Sequence, residues 1–195
     1  DWYRDLIDAG GLGRGRVSAL SLAAAGMRVA DRAGALGALR VAEHYVGRRL
    51  VAPRLFDRLP CKTTRLCFDI DGTFPNHEAN PLIEENRQDI VERVIKEKAD
   101  IGIAWDGDAD RCFFIDGSGE FIAGDFVTAL LSEAFLLKHP GAKVVYDVRA
   151  SYAVKDVVAK YGGTSLMNRV GHAFFKRRMR EEDAIFGGEV TGHYY

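Results

Sequence analysis

Cysteine is scarce in this chain, with three in 195 residues, at Cys61, Cys67 and Cys112. An odd number without a nearby Cys or His partner argues against both a disulfide framework and a zinc site. It fits a reducing, cytoplasmic setting. Net charge is nearly absent too: 27 Lys plus Arg offset 28 Asp plus Glu, leaving −1. That balance lacks the electrostatic footprint of a nucleic-acid or anionic-membrane binder, so neither partner is expected. An anionic ligand must then be held by local charges. No apolar run approaches the roughly 20 residues that span a bilayer. Asp1 to Asp8 lacks the basic start and apolar core of a secretory signal. Lysine does not occur before Lys62, and Ala, Gly and Arg fill 26 of the first 50 positions. Such a bias reads as low complexity or a shifted reading frame. A weak Ala-rich helix around 20–40 is the plainer alternative.

From Val51 onward the pattern is regular. Arg65 to Phe68 suits a short strand, and Asp71 to Pro81 is rich in turn residues. Ile83 to Lys98 has apolar residues at Ile83, Ile90, Val91, Val94 and Ile95, close to one helical face. Strands are expected at Asp100 to Trp105 and Cys112 to Ile115, with a tight turn at Asp116 to Gly119. Asp125 is placed to cap a helix running to Lys138, which His139-Pro140-Gly141 ends. A strand at Lys143 to Asp147, a helix at Ser151 to Tyr161 and a strand at Ser165 to Met167 follow. A helix at His172 to Arg180 and a strand at Ala184 to Phe186 complete the pattern. Strands alternating with helices predict an α/β fold. The expected form is two consecutive three-layer α/β units with mixed, mainly parallel sheets, residues 1–118 and 119–195.

The strongest chemical signal is IGIAWDGDADRCFFID, Ile101 to Asp116. Asp106, Asp108 and Asp110 alternate with the small residues Gly107 and Ala109, which let the backbone curl until three carboxylates converge. Three hard oxygen ligands suit Mg²⁺. Arg111 offsets part of the negative charge and offers a fork for phosphate. An EF-hand loop shares the alternating aspartates, but it needs Gly and Glu where Arg111 and Gly117 stand. A solvated acidic turn is the plain alternative, although three neighbouring carboxylates repel one another. A second pattern, RLCFDIDGTF (Arg65 to Phe74), carries Asp69 and Asp71 in a D-x-D-G-T arrangement able to do nucleophilic catalysis. A plain turn after a short strand is the favoured reading there.

VGHAFFKRRMR (Val170 to Arg180) sets His172, Lys176 and Arg180 on one helix face. GGEVTGHYY (Gly187 to Tyr195) follows a strand, and Glu189, Thr191 and His193 can hydrogen-bond a sugar. Ligands of parallel sheets gather beyond the carboxyl ends of strands.

Over about residues 51–195 these segments resemble the phosphohexomutase superfamily, in its phosphomannomutase/phosphoglucomutase branch. DGDADR resembles that family's metal loop, and GEVTGH resembles its sugar-selecting loop with Thr191 for the commoner Ser. VGHAFFKRRM resembles its substrate-contacting helix, FPNHEANP (Phe74 to Pro81) its turn, and YDVRAS (Tyr146 to Ser151) a strand whose Arg149 approaches phosphate. The D-x-D-G-T pattern instead resembles the haloacid-dehalogenase-type phosphatases, with Asp69 as nucleophile. The mutase resemblance implies the second and most of the third of four domains. A phosphoserine loop would lie on the first and a phosphate-gripping loop on the fourth, so this chain would not turn over alone. It implies Mg²⁺ at Asp106, Asp108 and Asp110, and Arg111 and His172 as catalytic groups. Arg149, Lys176, Glu189, Thr191 and His193 would contact a hexose phosphate or hexose bisphosphate. It also implies a strand and a D-x-G-N-G-like turn within residues 1–50, of which Met27 to Gly34 is a damaged echo. A non-catalytic sugar-phosphate-binding module is the remaining alternative.

Overall fold

The computed structural model describes residues 40–44 (backbone only), 56–67 and 74–195. The expected Ala-rich helix, the Met27 to Gly34 segment, Asp69 and Asp71 lie outside the described residues.

A single 3-10 turn at Glu85–Arg87 leads directly into the first described helix. The strands are β1 (Arg40–His44), β2 (Lys62–Leu66), β3 (Ile101–Trp105), β4 (Cys112–Asp116), β5 (Phe121–Ile122), β6 (Lys143–Asp147), β7 (Thr164–Asn168) and β8 (Phe186–Gly188). The helices are α1 (Gln88–Glu97), α2 (Gly124–Leu136), α3 (Tyr152–Lys160) and α4 (His172–Glu182). The first sheet runs β2-β1-β3-β4-β5 and the second β7-β6-β8. β1 is parallel to β2 and β3, whereas β3–β4 and β4–β5 are antiparallel. All pairs of the second sheet are parallel. The mixed, mainly parallel α/β architecture read from the alternation is therefore present. β5 joins the first sheet, so the change of sheet falls after Ile122.

Strand alternation explains the layering, since successive side chains point to opposite faces. On β3, Ala104 faces Ile90 and Val94 of α1, while Ile103 and Trp105 face a second apolar cluster with Phe56, Cys112 and Phe114. On β8, a side chain at Gly187 would point to Phe175 and Met179 of α4, and one at Gly188 to Thr128 of α2. The second sheet is thus sandwiched between α4 and α2. The cluster on the α2 face contains Val127, Leu131, Val144, Val154, Val158 and Phe186, and it is continuous with the Trp105 cluster of the first sheet. One apolar core therefore joins both sheets, each fully buried large side chain contributing about 1.5–3 kcal/mol.

Two local readings are corrected. Asp125 does not cap α2: its N-cap is Ala123, with no side-chain hydrogen bond. The buried Asp125 carboxylate instead accepts from Ser151 N at 3.0 Å, and Ser151 caps α3 through Ala153 N at 3.3 Å. The last strand begins at Phe186, not Ala184. Asp183 adopts a left-handed conformation and Ala184 N still bonds Met179 O at 2.9 Å, so the helix-ending turn consumes Ala184.

Candidate active site

The acidic loop is the tip of the β3–β4 hairpin, entered from Trp105 and left at its register partner Cys112. Ala109 sits at φ 57°, and Ala109 N donates to Asp106 O at 3.0 Å, closing the tip. Carboxylate oxygens of Asp106, Asp108 and Asp110 lie within 4.8 Å of one another. Asp106 is buried, whereas Asp108 and Asp110 are exposed. Arg111 donates to Asp106 twice, from its backbone N at 3.1 Å and from Nε in a very short contact. Burial pushes the Asp106 carboxyl above its ordinary value, against the pull of these Arg111 bonds. Behind the tip stands the turn from Phe74 to Asn80: Gly107 N donates to Ala79 O at 3.1 Å. The flanking strands exclude the helix–loop–helix frame of an EF-hand.

The second loop follows β8 and is fastened by buried carboxylates. Glu189, 1% exposed, accepts from Gly171 N at 2.9 Å and from Tyr195 Oη at 2.7 Å. Asp147, fully buried at the end of β6, accepts from Val190 N at 2.8 Å. It also accepts from Arg149, through backbone N at 2.7 Å and a guanidinium nitrogen at 2.8 Å. The Asp147 hydrogen bond raises the Arg149 guanidinium above its already high ordinary value. Burial, then the bond to Glu189, raises the Tyr195 phenol. Gly192, at φ +84°, turns the loop back so that its carbonyl accepts from Cys112 N at 3.0 Å. A Cβ there would lie 2.9 Å from the Phe113 ring, so the position requires glycine twice over.

The two loops meet at His193. Its Nε2 lies 3.1 Å from an Asp110 oxygen, and its Nδ1 is 3.4 Å from Glu189 and 3.3 Å from Thr191 Oγ1. Seven of the ten residues singled out from sequence therefore share one surface: Asp106, Asp108, Asp110, Arg111, Glu189, Thr191 and His193. His172 opens α4 next to Gly171, whose amide reaches Glu189. Lys176 stands one turn further on, exposed. Arg149 joins through Asp147. Sequence reasoning missed Asp147 and Tyr195. A carboxylate ending the apolar run Lys143–Asp147 was the available signal for the first, because a buried charge needs partners. Nothing local marked Tyr195.

What this geometry can do is bind a hard cation beside a polyhydroxy ligand. Comparison with known proteins identifies the family. Residues 42–119 match the model for phosphoglucomutase/phosphomannomutase alpha/beta/alpha domain II, and residues 123–195 match that for domain III. Phosphomannomutase of Escherichia coli (strain K12) is 55% identical over 125 residues, 64% of this chain and 27% of that protein. The chain thus spans about a quarter of that relative's length. A crystal structure of a phosphoglucomutase/phosphomannomutase family protein from Burkholderia thailandensis superposes with a TM-score of 0.75 at 34% identity, covering 88% of this chain and 38% of that one. N-acetylphosphoglucosamine mutase of Aspergillus fumigatus, solved with GlcNAc-6P and magnesium, shares the fold alone, with a TM-score of 0.56 at 16% identity over 80% of this chain and 33% of that one. Fold and matches place the chain among the α/β domains of phosphoglucomutase/phosphomannomutase proteins. It belongs to the phosphoglucomutase/phosphomannomutase family and carries sequence of its domains II and III.

Proposed function

We propose that this chain supplies the metal-binding and sugar-selecting portion of an enzyme that interconverts hexose 1-phosphates and 6-phosphates. Mannose or glucose is the sugar, a phosphoserine the donor and a hexose bisphosphate the intermediate. In this reading residues 1–118 and 119–195 are the second and third domains. The phosphoserine loop and a phosphate-gripping loop come from first and fourth domains of the same protein, working in the cytoplasm. The observation that carries it is the Asp110–His193 contact of 3.1 Å, which sets the carboxylate trio beside the GEVTGH loop.

The donor set fits Mg²⁺: three carboxylates, all oxygen, within 4.8 Å of one another, with Asp106 buried and already oriented by Arg111. When bound there, Mg²⁺ supplies Lewis-acid stabilisation of charge on a phosphoryl group. The chain's own residues do the rest. Arg111 is held against Asp106 and its side chain is 26% exposed, which leaves it able to meet phosphoryl oxygens. Thr191 accepts from and donates to sugar hydroxyls, and Glu189, buried and bonded to Gly171 and Tyr195, would turn outward to accept from them. His172 and His193 orient substrate or move a proton. Lys176 and Arg149 add positive charge for the phosphate that is not being transferred. The magnesium and sugar phosphate bound to the Aspergillus fumigatus neighbour are in keeping with this assignment.

A chimera tests it. Residues 56–195 replace the matching segment of the Escherichia coli relative, and conversion of mannose 1-phosphate to mannose 6-phosphate is followed with Mg²⁺ present. Turnover is expected, and Asp108→Asn should reduce it by at least about 10²-fold without unfolding the protein. A folded chimera that binds the sugar phosphate without converting it would establish the binding-module reading instead.

A further inference from the structure

Metal-ligating side chains converge at a second place, away from the acidic loop. Cys67 Sγ, a ring nitrogen of His77 and a carboxylate oxygen of Asp89 lie within 4.8 Å of one another. They come from the end of β2, the turn before α1 and the first turn of α1. Sequence spacing hides this, since Cys67 and His77 stand ten positions apart and Asp89 twelve further on.

Three details prepare these groups as ligands. Cys67 is held at φ 53°, a left-handed conformation unusual for a residue with a side chain. Asn76 Nδ2 donates to Cys67 Sγ at 3.3 Å and so fixes the direction of the sulfur, although burial and then the Asp89 charge raise the thiol above its ordinary value. His77 Nδ1 lies 2.8 Å from Glu78 O. A carbonyl can only accept, so Nδ1 carries the proton and the ring lone pair is on Nε2. Ligating histidines use the same arrangement, one nitrogen bonded to a carbonyl and the other to the metal.

We propose that Cys67, His77 and Asp89 form a second metal site, selective for a thiolate-preferring divalent cation such as Zn²⁺, with water as the fourth ligand. A sulfur, nitrogen and oxygen set suits Zn²⁺ and disfavours Mg²⁺, which seeks oxygen alone. Three protein ligands plus water is a common zinc arrangement, and side-chain rotation is needed to reach bonds of about 2.0–2.3 Å. The ion clamps the end of β2, the turn from Phe74 to Asn80 and α1 together. That turn also backs the acidic loop through Ala79 and Gly107, so the second site braces the first.

The test is a Co²⁺ titration of the reduced, metal-free 195-residue chain in excess Mg²⁺, which fills the acidic loop. One equivalent should give a thiolate-to-cobalt charge-transfer band that Zn²⁺ abolishes. Cys67→Ser should lose the band, while Cys61→Ser and Asp108→Asn keep it. Asp89→Asn, on an exposed helical position, should weaken Co²⁺ binding by at least the roughly 10-fold that even a supporting residue is worth. The proposal is overturned by a folded chain without a thiolate band, by a band that survives Cys67→Ser, or by unchanged affinity in Asp89→Asn.

Discussion

The acidic loop and the loop after β8 face each other, yet they are held in shape by opposite means. In the acidic loop Asp106 is tied to Arg111 and Asp110 reaches across to His193, while Asp108 stands exposed beside both charges. The β8 loop has its carboxylates inside, each accepting bonds from backbone and side-chain donors (Glu189 from Gly171 and Tyr195, Asp147 from Val190 and Arg149). One loop gathers like charges that a cation would offset; the other is held by internal hydrogen bonds alone. A carboxylate therefore costs stability in the first and supplies it in the second, depending on where its oxygens find donors.

Removing a buried carboxylate from the β8 loop should have the largest effect. Glu189→Ala strands the Gly171 amide and the Tyr195 hydroxyl, and is expected to cost about 2–4 kcal/mol by urea unfolding. Glu189→Gln, which keeps shape and one acceptor, should cost less than half of that. Equal penalties in the two variants would dissolve the contrast between the loops. Next comes Gly192→Ala, which forces a side chain into a left-handed turn and onto Phe113. A loss of about 1–3 kcal/mol is expected, visible as a lower melting temperature.

Asp108→Asn sharpens the comparison from the other side. Without metal it should leave stability unchanged or raise it by about 0.5 kcal/mol, because a like charge is removed. It should also erase the stabilisation that Mg²⁺ gives the parent chain, about 1.4 kcal/mol at a concentration tenfold above Kd. Thermal melts with and without Mg²⁺ check both parts. The smallest effect belongs to Ser118, whose hydroxyl and amide donate to Asp116 and lower its carboxyl below the ordinary value. A depressed carboxylate pKa stabilises the fold above the unfolded value and loses that stability as pH falls through the folded one. Ser118→Ala should thus cost a few tenths of a kcal/mol at pH 7, and the difference should vanish as acid titrates Asp116. A penalty that persists in acid would assign the effect to packing.

Periodicity and punctuation made most of the frame legible. Lys143–Asp147 and Ile101–Trp105 are apolar runs between turn residues, and both are strands within one residue of expectation. The convergence of Asp106, Asp108 and Asp110 was legible because it is local, with three carboxylates in five residues separated by small ones. What escaped depends on contacts across the chain. Asp125 looks like a helix cap and instead serves Ser151, 26 positions away. Ile95 lies on the apolar face of the α1 pattern yet is 56% exposed, since period alone does not say which part of a face meets the sheet. Cys67, His77 and Asp89 lie within 4.8 Å of one another, a proximity that their spacing along the chain does not announce.

The hydrogen bond from Cys112 to Gly192 closes a long stretch of chain. The β3–β4 hairpin is local and needs only its own neighbours, so it can form early. Its junction with the β8 loop requires β6, β7 and β8 to be in place, and it bears the closure entropy of everything between. On a ribosome, the hairpin would emerge well before its counterpart is synthesised. The three aspartates therefore spend the interval without His193, and the joined surface is among the last features of the molecule to appear. Mutations that slow assembly of the second sheet will delay the appearance of that surface even where they leave final stability untouched.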